Sequence, residues 1–384
     1  MKKLHIFMFI DALGWEVLQR HKFLEDLLPH RYRVEMQLGY SCTAIPTILT
    51  GVGPEKHGHL SFYYYSPETS PFRLLKPMQY LPPSIFNRWR VRHMISKTIA
   101  RIKGYTGYFE LYSMPFAKLP YFDYIEKKDI FVADGLAPVS NIADEIKKRG
   151  IKAHITNWRN SEAENIQALT RDIDKGEINF AFLYTAAMDS LLHRVTKNGA
   201  EIQHKLNWYA EKIRTVLHTA HSRYDEVSLA VMSDHGMTTL TQPVDVKSRI
   251  EKLPFRYGKD YAAVYDSTIA RFWFFKPHVG NTIKHVLEEI KNAHILTEKE
   301  KIKYRIYFPD NKFGECFLLM DPGYQIAPSD MGTYALPGMH GFAPEHKDSY
   351  AAYCSTEKPD KAPEWVGDFF RLMVGTLDDI VAGN

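Results

Sequence analysis

Residues 4–10 are apolar except for His5, a run that predicts a strand buried on both faces. Asp11-Ala12-Leu13-Gly14 follows, and the spacing of Val17, Leu24 and Leu28 predicts a helix. An alternating stretch, 34–38, leads into a hydroxyl-rich turn at Ser41-Cys42-Thr43 and a short helical segment closing at Thr50-Gly51. That order places a nucleophile at the mouth of a sheet. From residue 141 the pattern becomes regular: helix 141–150, strand 151–155, helix 162–173, strand 178–184, helix 200–220 and strand 227–232, the last running into Ser233-Asp234-His235-Gly236. Such alternation predicts an α/β fold whose central sheet is mostly parallel, with helices on both faces.

Two stretches break the rhythm. Residues 60–130 are rich in aromatics, from Tyr63-Tyr64-Tyr65 to Tyr124, and read as a cap insertion over the sheet edge. Within it, 84–103 has helical apolar spacing, with Arg88, Arg90, Arg92, Lys97, Arg101 and Lys103 between. A basic amphipathic helix of this kind lies on anionic lipid, lines a pocket for a phosphate-bearing substrate, or is a solvated cap helix. Residues 258–335 read as a small α+β subdomain, with strands at 262–264, 269–275, 304–308 and 313–320 around a helix at 282–291. The chain ends in an amphipathic helix near 365–377.

Composition narrows the class. A 384-residue chain, 45% hydrophobic and 24% charged, can bury one large core. The net charge of +4 argues against nucleic acid as a partner. The three cysteines, Cys42, Cys316 and Cys354, lack CxxC spacing, which disfavours a disulfide framework or thiolate zinc site and predicts a reducing, cytoplasmic location. The N-terminal apolar run is too short for a secretory signal and is read as a strand. No run reaches the roughly 18–20 apolar residues of a spanning helix. The expectation is a soluble protein that can touch a membrane surface.

Candidate chemistry sits at the predicted carboxyl ends of strands, the edge where open α/β sheets bind ligands. Asp11, Asp189, His193, Asp234, His235 and His340 are carboxylates and imidazoles, the donor set of zinc and similar divalent ions. Taken singly, Asp11 reads equally as a helix N-cap, Asp189 and His193 as an i,i+4 pair, and Asp234-His235-Gly236 as a turn.

Together these residues resemble the alkaline phosphatase superfamily, and within it the nucleotide pyrophosphatase/phosphodiesterase branch. Asp11 ends the first strand; Thr50-Gly51 continues through Pro54 to His57-Gly58; Asp189 and His193 form an Asp-x-x-x-His pair; Ser233-Asp234-His235-Gly236-Met237 stands intact; His340-Gly341 lies near the C-terminus. Counting nine residues back from Thr50 makes Ser41 the nucleophile, with Thr43 as a competitor two residues on. The resemblance implies an alkaline-phosphatase-like domain across the chain. It also implies two divalent ions, expected to be zinc: one on Asp189, His193 and His340, the other on Asp11, Asp234, His235 and Ser41. The implied reaction is hydrolysis of a phosphodiester or pyrophosphate bond through a phosphoserine on Ser41. The substrate would be a nucleotide, a sugar nucleotide or a lipid headgroup, with peripheral membrane contact as a further expectation.

The pattern departs from the branch in one respect. An Asn about twenty residues after the nucleophile is absent; Ser61-Phe62-Tyr63 stands there, leaving Ser61 or a basic cap residue to orient the phosphate. His57 is expected to hold the nucleophile helix, and His59 to be incidental. A phosphomonoesterase or phosphomutase is the alternative within the superfamily, the mutase disfavoured because its relatives carry a long inserted domain. Thr43, where a sulfatase has Pro, argues against that activity. A non-catalytic metal-binding or membrane-surface protein is the alternative of another class.

Overall fold

The computed structural model describes residues 2–383. Six strands form the central sheet in the spatial order His30–Val34, Ala351–Ser355, Glu226–Met232, Lys3–Ile10, Phe180–Thr185, Ala153–Ile155. The last four run parallel, and Ala351–Ser355 is antiparallel to both neighbours. Ile10 pairs with Thr185 and Phe9 with Met232, so three carboxyl ends stop at one level. Asp11, Asp189 and Asp234 follow these ends.

The run 4–10 lacks polar alternation because both of its faces are covered. Leu4, Ile6, Met8 and Ile10 enter a core shared with the helices Glu162–Lys175, Ala187–Val195 and Ala200–His221. Phe7 and Phe9 enter the opposite core, with Ser41–Thr50, Ile142–Arg149 and Asp368–Gly383. Each such side chain contributes about 1.5–3 kcal/mol on full burial. The strand is thereby the least movable support available for Asp11.

A second, antiparallel sheet has the order Tyr261–Tyr265, Ile269–Phe274, Cys316–Met320, Ala293–Ile295, with the helix Pro277–Glu288 on it. The aromatic stretch packs against this sheet: Tyr63, Phe72, Phe109 and Tyr124 share a core with Ala262, Val264 and Trp273. Its paired strands, Tyr63–Tyr65 and Phe122–Tyr124, frame the helix Trp89–Lys103. Cys42, Cys316 and Cys354 are free and buried. Among the described residues no helix is long and apolar enough to cross a membrane.

Several elements differ from the pattern-based expectation. The first helix, Trp15–Arg20, stops before Leu24, which takes a left-handed φ of 50°. Leu24 and Leu28 are nonetheless buried in the same core, and Arg31 donates to the carbonyls of Phe23 and Leu28 in place of helical bonds. The second strand is His30–Val34, ahead of the alternating stretch. Residues 304–308 are a turn rather than a strand: Arg305 has φ 58°, and Tyr304 and Ile306 are apolar because they fill a core. The basic stretch 84–103 is two helices, Pro83–Phe86 and Trp89–Lys103, broken at the extended Arg88.

Candidate active site

Two tight turns bring the strand ends together. A Cβ on Gly14 would lie 2.3 Å from the Cα of Gly236, so the loop after Asp11 and the loop after Asp234 touch backbone to backbone, which only glycine permits. The amide of Ala12 donates to Asp234 Oδ1 at 3.1 Å, joining the same two loops.

Ser41 begins the helix Ser41–Thr50, so its hydroxyl stands at a helix N-terminus, where the Thr43 and Ala44 amides already donate to the Tyr40 carbonyl and those of Ser41 and Cys42 have no intrahelical acceptor. Its Oγ donates to Asp11 Oδ1 at 3.4 Å and lies 3.2 Å from His235 Nε2. The helix is fixed from below: Thr47 Oγ1 is 3.0 Å from His57 Nε2, and His57 Nδ1 accepts the amide of His59. Thr43 is turned away from this centre. Its hydroxyl is fully buried and donates to the Leu60 carbonyl at 2.5 Å, bracing the turn instead of competing with Ser41.

Asp11 Oδ2 accepts the Tyr184 hydroxyl at 2.8 Å. Asp189 Oδ1 lies 3.4 Å from His193 Nε2 and 3.6 Å from His340 Nε2. The Gly338 carbonyl holds His193 Nδ1 at 2.8 Å, and that of Gly236 holds His235 Nδ1 at 2.9 Å, so both rings turn Nε2 inward. His235 and His340 stack at 3.7 Å with an interplanar angle of 11°. Two groups therefore have donor atoms within 4.8 Å of one another: Asp189, His193, His340 and Asp11, Asp189, His235. Asp234 lies outside both; its Oδ1 is occupied by two backbone amides, and its Oδ2 is 3.1 Å from His235 Nε2 without the angle of a hydrogen bond.

The electrostatics fit cations. Asp189 Oδ1, Asp234 Oδ2 and His340 Nδ1 are buried without hydrogen-bond partners. Burial, then Asp234 and Asp189, push the Asp11 carboxyl well above the usual range. Burial disfavours a charged imidazole at His235, yet Asp234, Asp11 and Asp189 outweigh it and raise its pKa to about 10. Burial and the neighbouring His235 hold His340 well below the ordinary histidine value. Protons thus stand in for positive charge that three buried carboxylates require.

The centre opens into a cavity of about 470 Å³. One wall is aromatic: Phe62 stacks on Tyr112 at 5.4 Å and packs against Tyr108, which meets Trp158 edge-on. Ser61 and Asp266 also reach the lining. Ser61 does not present a free donor: its Oγ donates to Asp266 and accepts from Arg271 Nη2 at 2.8 Å. Arg271 is wholly buried and also bonds Asp266 Oδ2 and the carbonyls of Tyr63 and Phe313. Of the basic residues of the cap insertion, Lys128 lines the cavity; among the described residues none from the helix Trp89–Lys103 does, and Arg92 is buried and donates to the carbonyls of Tyr112 and Met114.

Glu126, which the sequence did not single out, also lines the cavity, near Cys42 and Tyr108. Burial, then Asp129, raise its pKa to about 8, so it is neutral at pH 7 and does not repel an anionic substrate. The native state keeps a proton that the unfolded chain releases near its ordinary value of 4.5, so stability falls as pH rises from there towards about 8. Glu126→Gln is expected to remove that slope and gain on the order of 5 kcal/mol at alkaline pH relative to acidic pH. Chemical denaturation at both pH values checks it; parallel profiles for the two proteins would contradict the assignment.

Comparison with known proteins agrees with this geometry. The profile of the type I phosphodiesterase / nucleotide pyrophosphatase family matches residues 5–343. No curated protein sequence matches the chain. Human ectonucleotide pyrophosphatase / phosphodiesterase 5 is similar in structure, with a TM-score of 0.67, 12% identity, and coverage of 98% of this chain and 95% of that one. The murine protein has the same score and coverage at 15% identity. An inactive murine variant in complex with AMP matches at 14%. At these identities the structures establish an alkaline-phosphatase-like fold, while the profile spans every strand end that carries the site. The chain is accordingly a hydrolase belonging to the type I phosphodiesterase / nucleotide pyrophosphatase family.

Proposed function

We propose that the protein hydrolyses a nucleotide phosphodiester or pyrophosphate through a phosphoserine on Ser41, with two divalent cations, zinc by donor type. The observation that carries this reading is the placement of Ser41 Oγ, at a helix N-terminus and within 3.4 Å of both Asp11 and His235, beside a separate Asp189–His193–His340 group. Asp189, His193 and His340 would hold one ion; Asp11, His235 and Ser41 would hold the other, with the unpartnered Asp234 Oδ2 beside them. Bound there, such ions supply Lewis acidity that favours the Ser41 alkoxide and neutralises charge developing on the phosphoryl group.

The chain's own residues do the rest. Tyr184 and the turn amides fix the Asp11 and Asp234 carboxylates, so the Ser41 proton already faces an acceptor in Asp11 Oδ1. Ser41 Oγ attacks phosphorus, the ester oxygen opposite leaves, and water later cleaves the Ser41–phosphate bond. The Ser41 and Cys42 amides at the helix N-terminus would be available to phosphoryl oxygens, donors where the branch's Asn is missing, while those of Thr43 and Ala44 are taken by the Tyr40 carbonyl. Phe62, Tyr108 and Tyr112 offer a stacking wall for a nucleobase, in keeping with the AMP held by the murine neighbour.

The test compares the p-nitrophenyl ester of thymidine 5′-monophosphate, bis-p-nitrophenyl phosphate and p-nitrophenyl phosphate, with and without chelator. The nucleotide diester should be cleaved fastest, chelation should abolish all turnover, and elemental analysis should find about two ions per chain. His340→Ala should lose mainly one of them. Preference for the monoester would shift the assignment to a phosphomonoesterase, and full activity after exhaustive chelation would end the two-metal reading.

A further inference from the structure

Residues 69–109 contain no Asp or Glu but carry eight Lys or Arg. Seven of the eight are exposed, the exception being Arg92. Among the described residues none of these seven pairs with a carboxylate. Exposed cations such as Arg214 and Arg223 meet acidic partners from nearby elements, whereas this segment has no carboxylate of its own between residues 69 and 109.

The same segment is apolar on two sides. Its inward set, Leu75, Met78, Phe86, Ile95 and Ile99, packs on the aromatic core and satisfies everything a cap needs. A second set faces solvent: Leu74 at 91% exposure, Tyr80 at 85%, Trp89 at 68%, Met94 at 62% and Ile102 at 77%. Leu81 and Ile85 join them, so seven of the fourteen large hydrophobic side chains exposed on the described residues lie within 74–102. On the helix Trp89–Lys103, Arg90, Lys97 and Arg101 lie at helical spacing around Met94 on the face opposite Arg92 and Ser96.

We propose that residues 73–103 form a docking surface for an anionic lipid bilayer, lying on it without spanning it. Unpaired cations meet the headgroup charge while the outward apolar side chains enter the interface beneath, the division of labour of peripheral membrane segments. A nucleic acid or acidic protein would answer the charge but leave these apolar side chains in water. The attachment is rigid: Arg92 bonds the carbonyls of Tyr112 and Met114, and Ser96 and His93 bond Glu110, so the docking helix is fastened to the stretch that walls the cavity. Docking would hold the cavity's aromatic wall close to the bilayer.

Co-sedimentation of the full chain with phosphatidylcholine vesicles, with and without phosphatidylglycerol, tests this. Binding is expected only with the anionic lipid and should weaken with salt. R90E/K97E/R101E and L74S/W89S/I102S should each raise the apparent Kd at least tenfold while cleaving a soluble diester within twofold of wild type, which also shows that they are folded. Should either triple variant lose that turnover, W89S and I102S alone replace it. Lack of vesicle binding, undiminished binding by the variants, or capture by heparin that is indifferent to the apolar substitutions would overturn the proposal, the last in favour of a soluble polyanion.

Discussion

Ser41→Ala is expected to reduce turnover of every phosphoester substrate by roughly 10³-fold or more, leaving the fold intact. The hydroxyl is half-buried at the first turn of its helix, and among the described residues its hydrogen-bonding neighbours are Asp11 and His235, so removing one oxygen leaves no core cavity. Thr43→Ala makes the contrast. It deletes the bond to the Leu60 carbonyl and should cost about 1 kcal/mol of stability with turnover retained. Steady-state kinetics of both variants, with circular dichroism to confirm folding, separates the roles. Full activity in Ser41→Ala would remove the nucleophile from the scheme.

The second large effect is on stability. Arg271→Leu should lower the unfolding free energy by roughly 3–5 kcal/mol, because it strands the Asp266 carboxylate in a buried site and frees two backbone carbonyls. Burial already raises the Asp266 pKa, with Arg271 as the principal opposing influence. Arg271→Leu combined with Asp266→Leu should recover part of the loss, since it removes both charges together. Urea unfolding of the three proteins measures this; equal stability of the single variant and wild type would show that the ion pair is dispensable.

The parallel part of the fold was legible because its strands and helices are long and their periods unambiguous: 4–10, 162–173 and 200–220 correspond to Lys3–Ile10, Glu162–Lys175 and Ala200–His221. Asp11, Asp189, Asp234 and His235 stood out for a related reason, since they follow strand ends that the pattern itself marks, whereas His340 follows only the two-residue strand Gly338–Met339 and entered through the family resemblance. Ala351–Ser355 was missed: five buried residues with no polar alternation and no following helix carry too little periodicity. Arg271 and Asp266, and their hold on Ser61, were invisible for a different reason. Their bonds exist only after a hairpin aligns 266 with 271 and the cap lays Ser61 beside them, and no local pattern encodes that meeting. Glu126 is one carboxyl in an aromatic stretch, and only burial distinguishes it from a solvated one.

The place of Ala351–Ser355 between Glu226–Met232 and His30–Val34 also bears on how the molecule is made. His30–Val34 leaves the ribosome early but has no other partner in the central sheet. It must wait, unpaired, until more than three hundred further residues have been synthesised, and the helix Ser41–Thr50 just after it waits also for its packing partner, the C-terminal helix Asp368–Gly383. A gene shortened to the family-matched span would therefore keep every candidate ligand and yet yield an open sheet edge prone to aggregation.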